Sequence, residues 1–321
     1  MTVSSTVGRL SQLDQGTLAK LNAGCSYINA EIAKVRGRIL VVASVVLLLA
    51  FVVYGLLWNQ GARDPRLPFG VALAIVIAFA VWQHRQLSKT YKTIVVRRVV
   101  GALGRDMTYS ADSRFTKQDF LAMDLFNRRV EQWRAEDEIC GRKNVVGYSI
   151  LEAKATRTEG SGKNRRTVTI FKGVIVRLDF NKHFQGHTVV IPHSEGQILG
   201  GLFGESSSRG RKEICRMENV EFENAFSVYA TDQQEARYIL TPKLMDLIMR
   251  ARTRINDGVR VSFHDNSVFM TLPGQGDRFE LSLFGGPVTP EGIVGELATV
   301  VRLAEDLVDT LDLETRIWTR V

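Results

Sequence analysis

A run of 20 residues without a single charge, Ile39–Trp58 (ILVVASVVLLLAFVVYGLLW), limits this chain more than any other feature. At 1.5 Å per residue, a helix of that length spans about 30 Å, the thickness of a bilayer's hydrocarbon core. Tyr54 and Trp58 stand near its end, where amphipathic rings favour the headgroup boundary. A second uncharged run, Leu67–Trp82 (LPFGVALAIVIAFAVW), follows after the short polar stretch Asn59–Arg66. Two apolar helices joined so closely make an antiparallel hairpin. A cleaved secretory signal is excluded for the first run, because 38 mostly polar residues precede it. Neither run holds an ionisable residue, so the hairpin reads as an anchor rather than as a channel or proton relay.

The flanks set the orientation. Lys34, Arg36 and Arg38 precede the first run, and Arg85, Lys89, Lys92, Arg97 and Arg98 follow the second. The turn has only Arg63 and Arg66, beside Asp64. By the positive-inside rule both termini are expected on the cytoplasmic side of a plasma (bacterial inner) membrane, as a multi-pass protein.

Charge divides the same way. The formal net charge is +8. Residues 1–104 carry 12 Lys/Arg against 3 Asp/Glu, and residues 105–321 carry 30 against 31, nets of +9 and −1. The basic excess belongs to the membrane-proximal segment, where anionic lipid attracts it. No broad basic face remains for a nucleic acid. Three separated cysteines, Cys25, Cys140 and Cys215, form no CxxC and no disulfide framework.

The expected organisation is an amphipathic N-terminal helix over 1–38, a hairpin over 39–82 (spans 39–58 and 67–82), a helical stalk over 83–104, and a cytoplasmic α+β domain over 105–321. Leu18, Leu21, Cys25, Ile28, Ile32 and Val35 share one helix face, and Ile94, Val95, Val99 and Leu103 share another. Residues 115–139 read as one amphipathic helix or two short ones, capped by Thr116. Val145–Ala153, Val168–Asp179 and His187–Ile191 read as strands, with turns at Arg157–Arg166 and Asn181–Gly186. Asn219–Tyr229 reads as extended. Val259–His264, Ser267–Leu272 and Phe279–Leu283 read as short strands, with a turn at Asp265–Asn266. Thr241–Pro242 and Thr289–Pro290 each start a helix, since proline's missing N–H costs nothing in the first turn. Strands without regular βαβ alternation predict a mainly antiparallel sheet with packed helices. The Gly/Ser-rich loop at 196–212 (GQILGGLFGESSSRGRK) reads as a surface loop.

Chemistry is sparse. No GxxxxGK[ST], HExxH or GxSxG occurs. His183, His187 and His193 lie close in sequence, yet they flank a turn and are expected exposed rather than ligating zinc. Two acidic clusters, Glu131/Glu136/Asp137/Glu138 and Asp232/Glu235 with Arg237, are expected to be solvated or ion-paired. No catalytic, cofactor-binding or metal residue is assigned, and no cofactor is expected.

Three stretches carry a family resemblance: Ile170–Asn181 (IFKGVIVRLDFN), Asn224–Met245 (NAFSVYATDQQEARYILTPKLM) and Glu136–Gly147 (EDEICGRKNVVG). With the preceding hairpin, they resemble the bacterial membrane proteins grouped as domain of unknown function 3137, over roughly residues 85–315. The resemblance implies a cytoplasmic α+β domain and no established activity. Phe171, Lys172, Gly173, Asp232, Glu235, Arg237 and Tyr238, with Thr241 and Pro242, form the family-like signature. The loop at 196–212 departs from the family pattern. The expected function is a membrane-anchored binding or scaffold module whose partners are the bilayer and another protein. Two alternatives stay open: a tethered enzyme acting on lipid or envelope precursors through Asp232, Glu235 and Arg237, and a subunit of a larger membrane complex.

Overall fold

The computed structural model describes residues 15–59, 64–104, 106–126, 129–195, 213–255, 258–274 and 280–315. The loop at 196–212 lies outside them. The chain divides into two compact units, Met1–Ala102 with Phe279–Gly295, and Leu103–Arg278 with Glu296–Val321.

The first unit is built on two long helices, α1 (Gln15–Asn59) and α2 (Arg66–Leu103), each long and apolar enough to cross a membrane. They pair through their apolar stretches, with Phe51 and Tyr54 against Phe69 at ring separations of 5.1 and 6.0 Å. The N-terminal part of α1 buries Leu21, Cys25, Ile28, Ile32 and Val35, as the spacing predicts. On α2 the buried face is instead Leu87, Tyr91, Val95, Val96, Val99 and Val100, with Ile94 and Leu103 only half-buried. The cause is a π-helical turn at Lys92–Val96. A π turn inserts a residue and rotates the apolar stripe.

The second unit is α+β. Among the described residues its seven strands are β1 (Thr108–Asp112), β2 (Gln132–Lys143), β3 (Val146–Glu159), β4 (Arg166–Pro192), β5 (Glu213–Ile214), β6 (Phe226–Ala230) and β7 (Arg260–Pro273). All are paired antiparallel, in the order β1-β2-β3-β4-β6-β5, with β7 also on β4. One face is closed by a short helix, α3 (Lys117–Ala122), and the segments beside it. Phe115, Phe120, Met123, Leu125 and Val130 pack there on Leu151, Phe171, Ile175, Val189, Ile191 and Phe269. Thr116 starts α3 with a complete capping box, exchanging hydrogen bonds with Asp119. Between β5 and β7 come α4 (Val220–Ala225), α5 (Gln233–Ile239) and α6 (Pro242–Ile255), and α7 (Pro290–Thr315) closes the described chain. Both expected Thr-Pro starts occur. The Leu244 N–H approaches Thr241 Oγ1 at 3.4 Å, and the Gly292 N–H approaches Thr289 Oγ1 at 3.2 Å.

Four expectations fail. Residues 132–139 are strand, not helix: helix α3 stops at Met123, Asp124 turns into the left-handed region at φ 53°, and β2 then takes its place between β1 and β3. Asn219 caps a helical turn, α4, where extended chain was expected. Residues 280–283 have no regular structure. The turns at Asn181–Gly186 and Asp265–Asn266 do not reverse the chain, because β4 and β7 each run straight through.

Candidate functional site

The irregular stretch of β4 gathers a dense set of polar contacts among the described residues of the second unit. From Asp179 to Thr188 the strand advances nine residues while its partner β7 advances four, from Ser267 to Phe263. The five extra residues form a wide double bulge. Asp265 sits opposite it in the left-handed region at φ 51°, a conformation Asp tolerates better than most side chains.

Bulged backbone amides lose their ladder partners and need others. Here they come from the segment Thr231–Glu235. The Glu235 carboxylate accepts hydrogen bonds from the N–H groups of Gln185 (2.9 Å) and Gly186 (2.6 Å). Thr231 Oγ1 accepts from the His187 N–H at 2.8 Å, and the Thr231 N–H donates to the His187 carbonyl at 3.1 Å. Gly186 leaves room for these contacts, since a Cβ there would lie 2.9 Å from both Glu235 Oε2 and Thr231 Oγ1. Asp232 caps α5, accepting from the N–H groups of Gln234 (2.8 Å) and Glu235 (3.1 Å). Its cap fixes the helix that presents Glu235.

The family-like signature therefore splits by job. Asp232 and Glu235 hold backbone. Arg237 does not pair with Glu235; its guanidinium reaches the Gln233 side chain at 3.4 Å from an exposed position. Tyr238 is exposed on the same helix. Phe171 is core, against Phe126 and Phe120. Lys172 is half-buried, and its carbonyl accepts from the Gly274 N–H at 3.1 Å. Gly173 lets β7 approach: a Cβ there would stand 2.2 Å from the Leu272 carbonyl oxygen.

Two histidines lie inward of the bulge. His187 is buried, contrary to the exposed turn position expected of it, because β4 continues through that point into the sheet. Its Nε2 is 3.0 Å from Ser262 Oγ. Its ring is 5.1 Å from that of His264, which stacks on Phe269 and contacts Asp265 Oδ2 through Nδ1 at 3.2 Å. Arg177 lies over the same Phe269 ring and pairs with Asp179, which also accepts from Ser267 Oγ at 3.3 Å. A serine within reach of an imidazole resembles a nucleophile with its base. Ser262 is 0% exposed, however, so no substrate atom reaches it in this conformation. The three neighbouring histidines do not converge: His193 Nδ1 is 3.2 Å from Ser227 Oγ, while His183 is exposed. Sequence reasoning missed Ser262 and His264 because they lie on β7, far from the other histidines along the chain.

The first acidic cluster separates as well. Glu131 accepts from the Thr158 N–H at 2.9 Å, Glu136 pairs with Arg134 at 2.8 Å, and Glu138 accepts from the Arg114 N–H at 3.0 Å. Asp137 is not solvated. It is fully buried at a bulge in β2, with φ 56°, and takes a hydrogen bond from the Tyr109 hydroxyl. Burial first, and that bond second, push the Tyr109 hydroxyl far above its ordinary range. Of the cysteines, Cys25 and Cys215 are buried and Cys140 is exposed.

Fold and site together define an α+β domain on an antiparallel sheet, preceded by two long apolar helices. Residues 169–313, from β4 into α7, match the model of the family described as Protein of unknown function (DUF3137), and the family resemblance read from the sequence is thereby borne out. The match is narrower than the 85–315 expected and leaves out Glu136–Gly147. Among solved structures, the crystal structure of the mycobacterial trehalose monomycolate transport factor A, TtfA, is similar at a TM-score of 0.36 and 11% identity, over 71% of this chain and 95% of that one. No curated protein matches.

Proposed function

We propose that the chain is a membrane-anchored binding module, with its α+β domain and both termini on the cytoplasmic face of a bacterial inner membrane. The observation that carries this reading is the outward display of the two apolar stretches. Only 6% of each is buried, and Leu40, Val41, Leu48, Leu56, Leu67 and Leu73 are all exposed. Burying such side chains in lipid is worth about 1.5–3 kcal/mol each, so water is the wrong solvent for this surface. The arginines and lysines flanking the helices supply the orientation.

Binding, rather than turnover, is the reading the polar groups favour. The carboxylates expected to serve a tethered enzyme, Asp232 and Glu235, already accept backbone hydrogen bonds. The ligand is expected to be another protein at the membrane surface. Intact-mass measurement of the full-length protein extracted in native lipid discs tests this. A second polypeptide held in fixed ratio is expected. A bare protein that hydrolyses a substrate, and loses this activity in Glu235→Gln, would overturn it.

A further inference from the structure

In the first unit, residues 280–288 form a loop strapped along the two long helices. Lys92 and Ser88 hold Glu280 at 3.1 and 3.4 Å, and His84 Nε2 sits 2.8 Å from the Leu281 carbonyl oxygen. Arg36 then donates from Nε to the Leu283 carbonyl (2.6 Å) and from Nη2 to the Gly285 carbonyl (3.1 Å). The loop leaves at Val288, whose backbone exchanges two hydrogen bonds of 2.9 Å with the Asn29 side chain.

The order of these holding residues along the helices gives the loop a direction. Lys92 and Asn29 each lie ten residues from an apolar run, or about 15 Å at 1.5 Å per residue. Arg36 and His84 lie three and two residues away, or about 4.5 and 3 Å. The loop therefore descends toward the apolar runs, turns beside Arg36, and climbs back. Phe284 stands at the Arg36 level, between the two carbonyls that Arg36 grips. Leu281 and Leu283 are buried, whereas Phe284 is 83% exposed, the largest value among the large hydrophobic side chains of the described residues.

We infer that the loop tip Phe284–Gly286 is a third membrane contact, with the Phe284 ring seated in the interfacial layer of the bilayer that the two helices cross. This rests on the membrane-anchored reading above. The headgroup layer on each side is about 5–7 Å deep, which covers the height of Arg36 above the first apolar run. An exposed aromatic ring at that level gains from the lipid boundary what it loses in water. Arg36, Arg38 and Arg85 surround the same level, and their charge complements anionic headgroups. Because Glu280 and Pro290 bound this segment, lipid contact at Phe284 fixes the path by which the chain enters α7.

The test uses the full-length protein in nanodiscs of phosphatidylethanolamine and phosphatidylglycerol, in a Cys140→Ser background. A nitroxide is placed at Phe284→Cys, at Leu49→Cys within the first apolar run, and at Val145→Cys on an exposed turn of the second unit. Collision rates with oxygen and with a water-soluble nickel chelate are then read. The expected result is a nickel rate at position 284 several-fold below that at 145, with oxygen access approaching that at 49. A label at 284 as open to nickel as the one at 145, with 49 in lipid, overturns this inference and leaves the anchored reading standing. A label at 49 that is itself open to nickel overturns both.

Discussion

Glu235 shows how one side chain can carry a sequence signature without chemistry. Its carboxylate accepts from the Gln185 and Gly186 N–H groups, which the bulge has taken from the ladder. Removing it leaves the half-buried Gly186 amide without that acceptor, so Glu235→Ala is expected to lower stability by about 1–2 kcal/mol, measured by urea unfolding of the full-length protein in detergent. Arg237→Ala, at an exposed position, is expected to change it by no more than about 0.5 kcal/mol. Gly173→Ala meets the Leu272 carbonyl and is expected to cost about 2 kcal/mol or more. Tyr109 adds a pH dependence. Its folded pKa is raised above the ordinary 10.0, so its contribution is complete below that value and is lost as pH climbs past it. The ultraviolet tyrosinate signal of Tyr109, isolated by comparison with Tyr109→Phe, is expected only together with unfolding. Ionisation in the still-folded protein would contradict the buried hydrogen bond to Asp137. The sequence pointed to Glu235 but misjudged its job, and it treated Asp137 as solvated, because runs of acidic residues look alike until a bulge turns one inward.

Elements with local signals were legible. Thr116 with Asp119, Thr241–Pro242 and Thr289–Pro290 all start helices, because capping is decided within four residues. The buried face of α7 (Ile293, Val294, Leu297, Val300, Val301, Ala304, Leu307, Val308 and Leu311) also follows its spacing. Elements decided by distant partners were not legible. The polar Asn181–Gly186 stretch has the composition of a turn, yet Thr231 and Glu235, more than 40 residues on, satisfy it as a bulge within β4. β2 likewise owes its extension to β1 and β3 rather than to its own pattern. The β2–β3 turn does obey local rules: Asn144 occupies the left-handed region at φ 55°. Asn144→Gly is expected to keep stability, and Asn144→Val to lower it by about 1–2 kcal/mol in the same unfolding measurement.

For the whole molecule, the division of charge and apolarity is the organising fact. A net of +9 over residues 1–104 and −1 over residues 105–321 separates the segment holding the two apolar runs from a neutral domain. Ile39–Trp58 and Leu67–Trp82 were readable as helices because lipid-length apolar runs need no tertiary context. The Glu280–Val288 strap was not, since its holding groups, Asn29, Arg36, His84 and Lys92, are scattered over the first hundred residues. Cysteine chemistry makes the orientation testable with the protein's own thiols. Cys140 is exposed on the α+β unit, whereas burial, with the charge of Glu291 adding to it, pushes the Cys25 thiol up to about 11. The direct measurement is labelling of intact cells with a membrane-impermeant maleimide, using the wild-type protein and Ala62→Cys, between the two apolar runs in sequence. Labelling of Ala62→Cys from outside is expected, with Cys140 protected until the cells are opened. Labelling of Cys140 in intact cells, or protection of position 62, would contradict it.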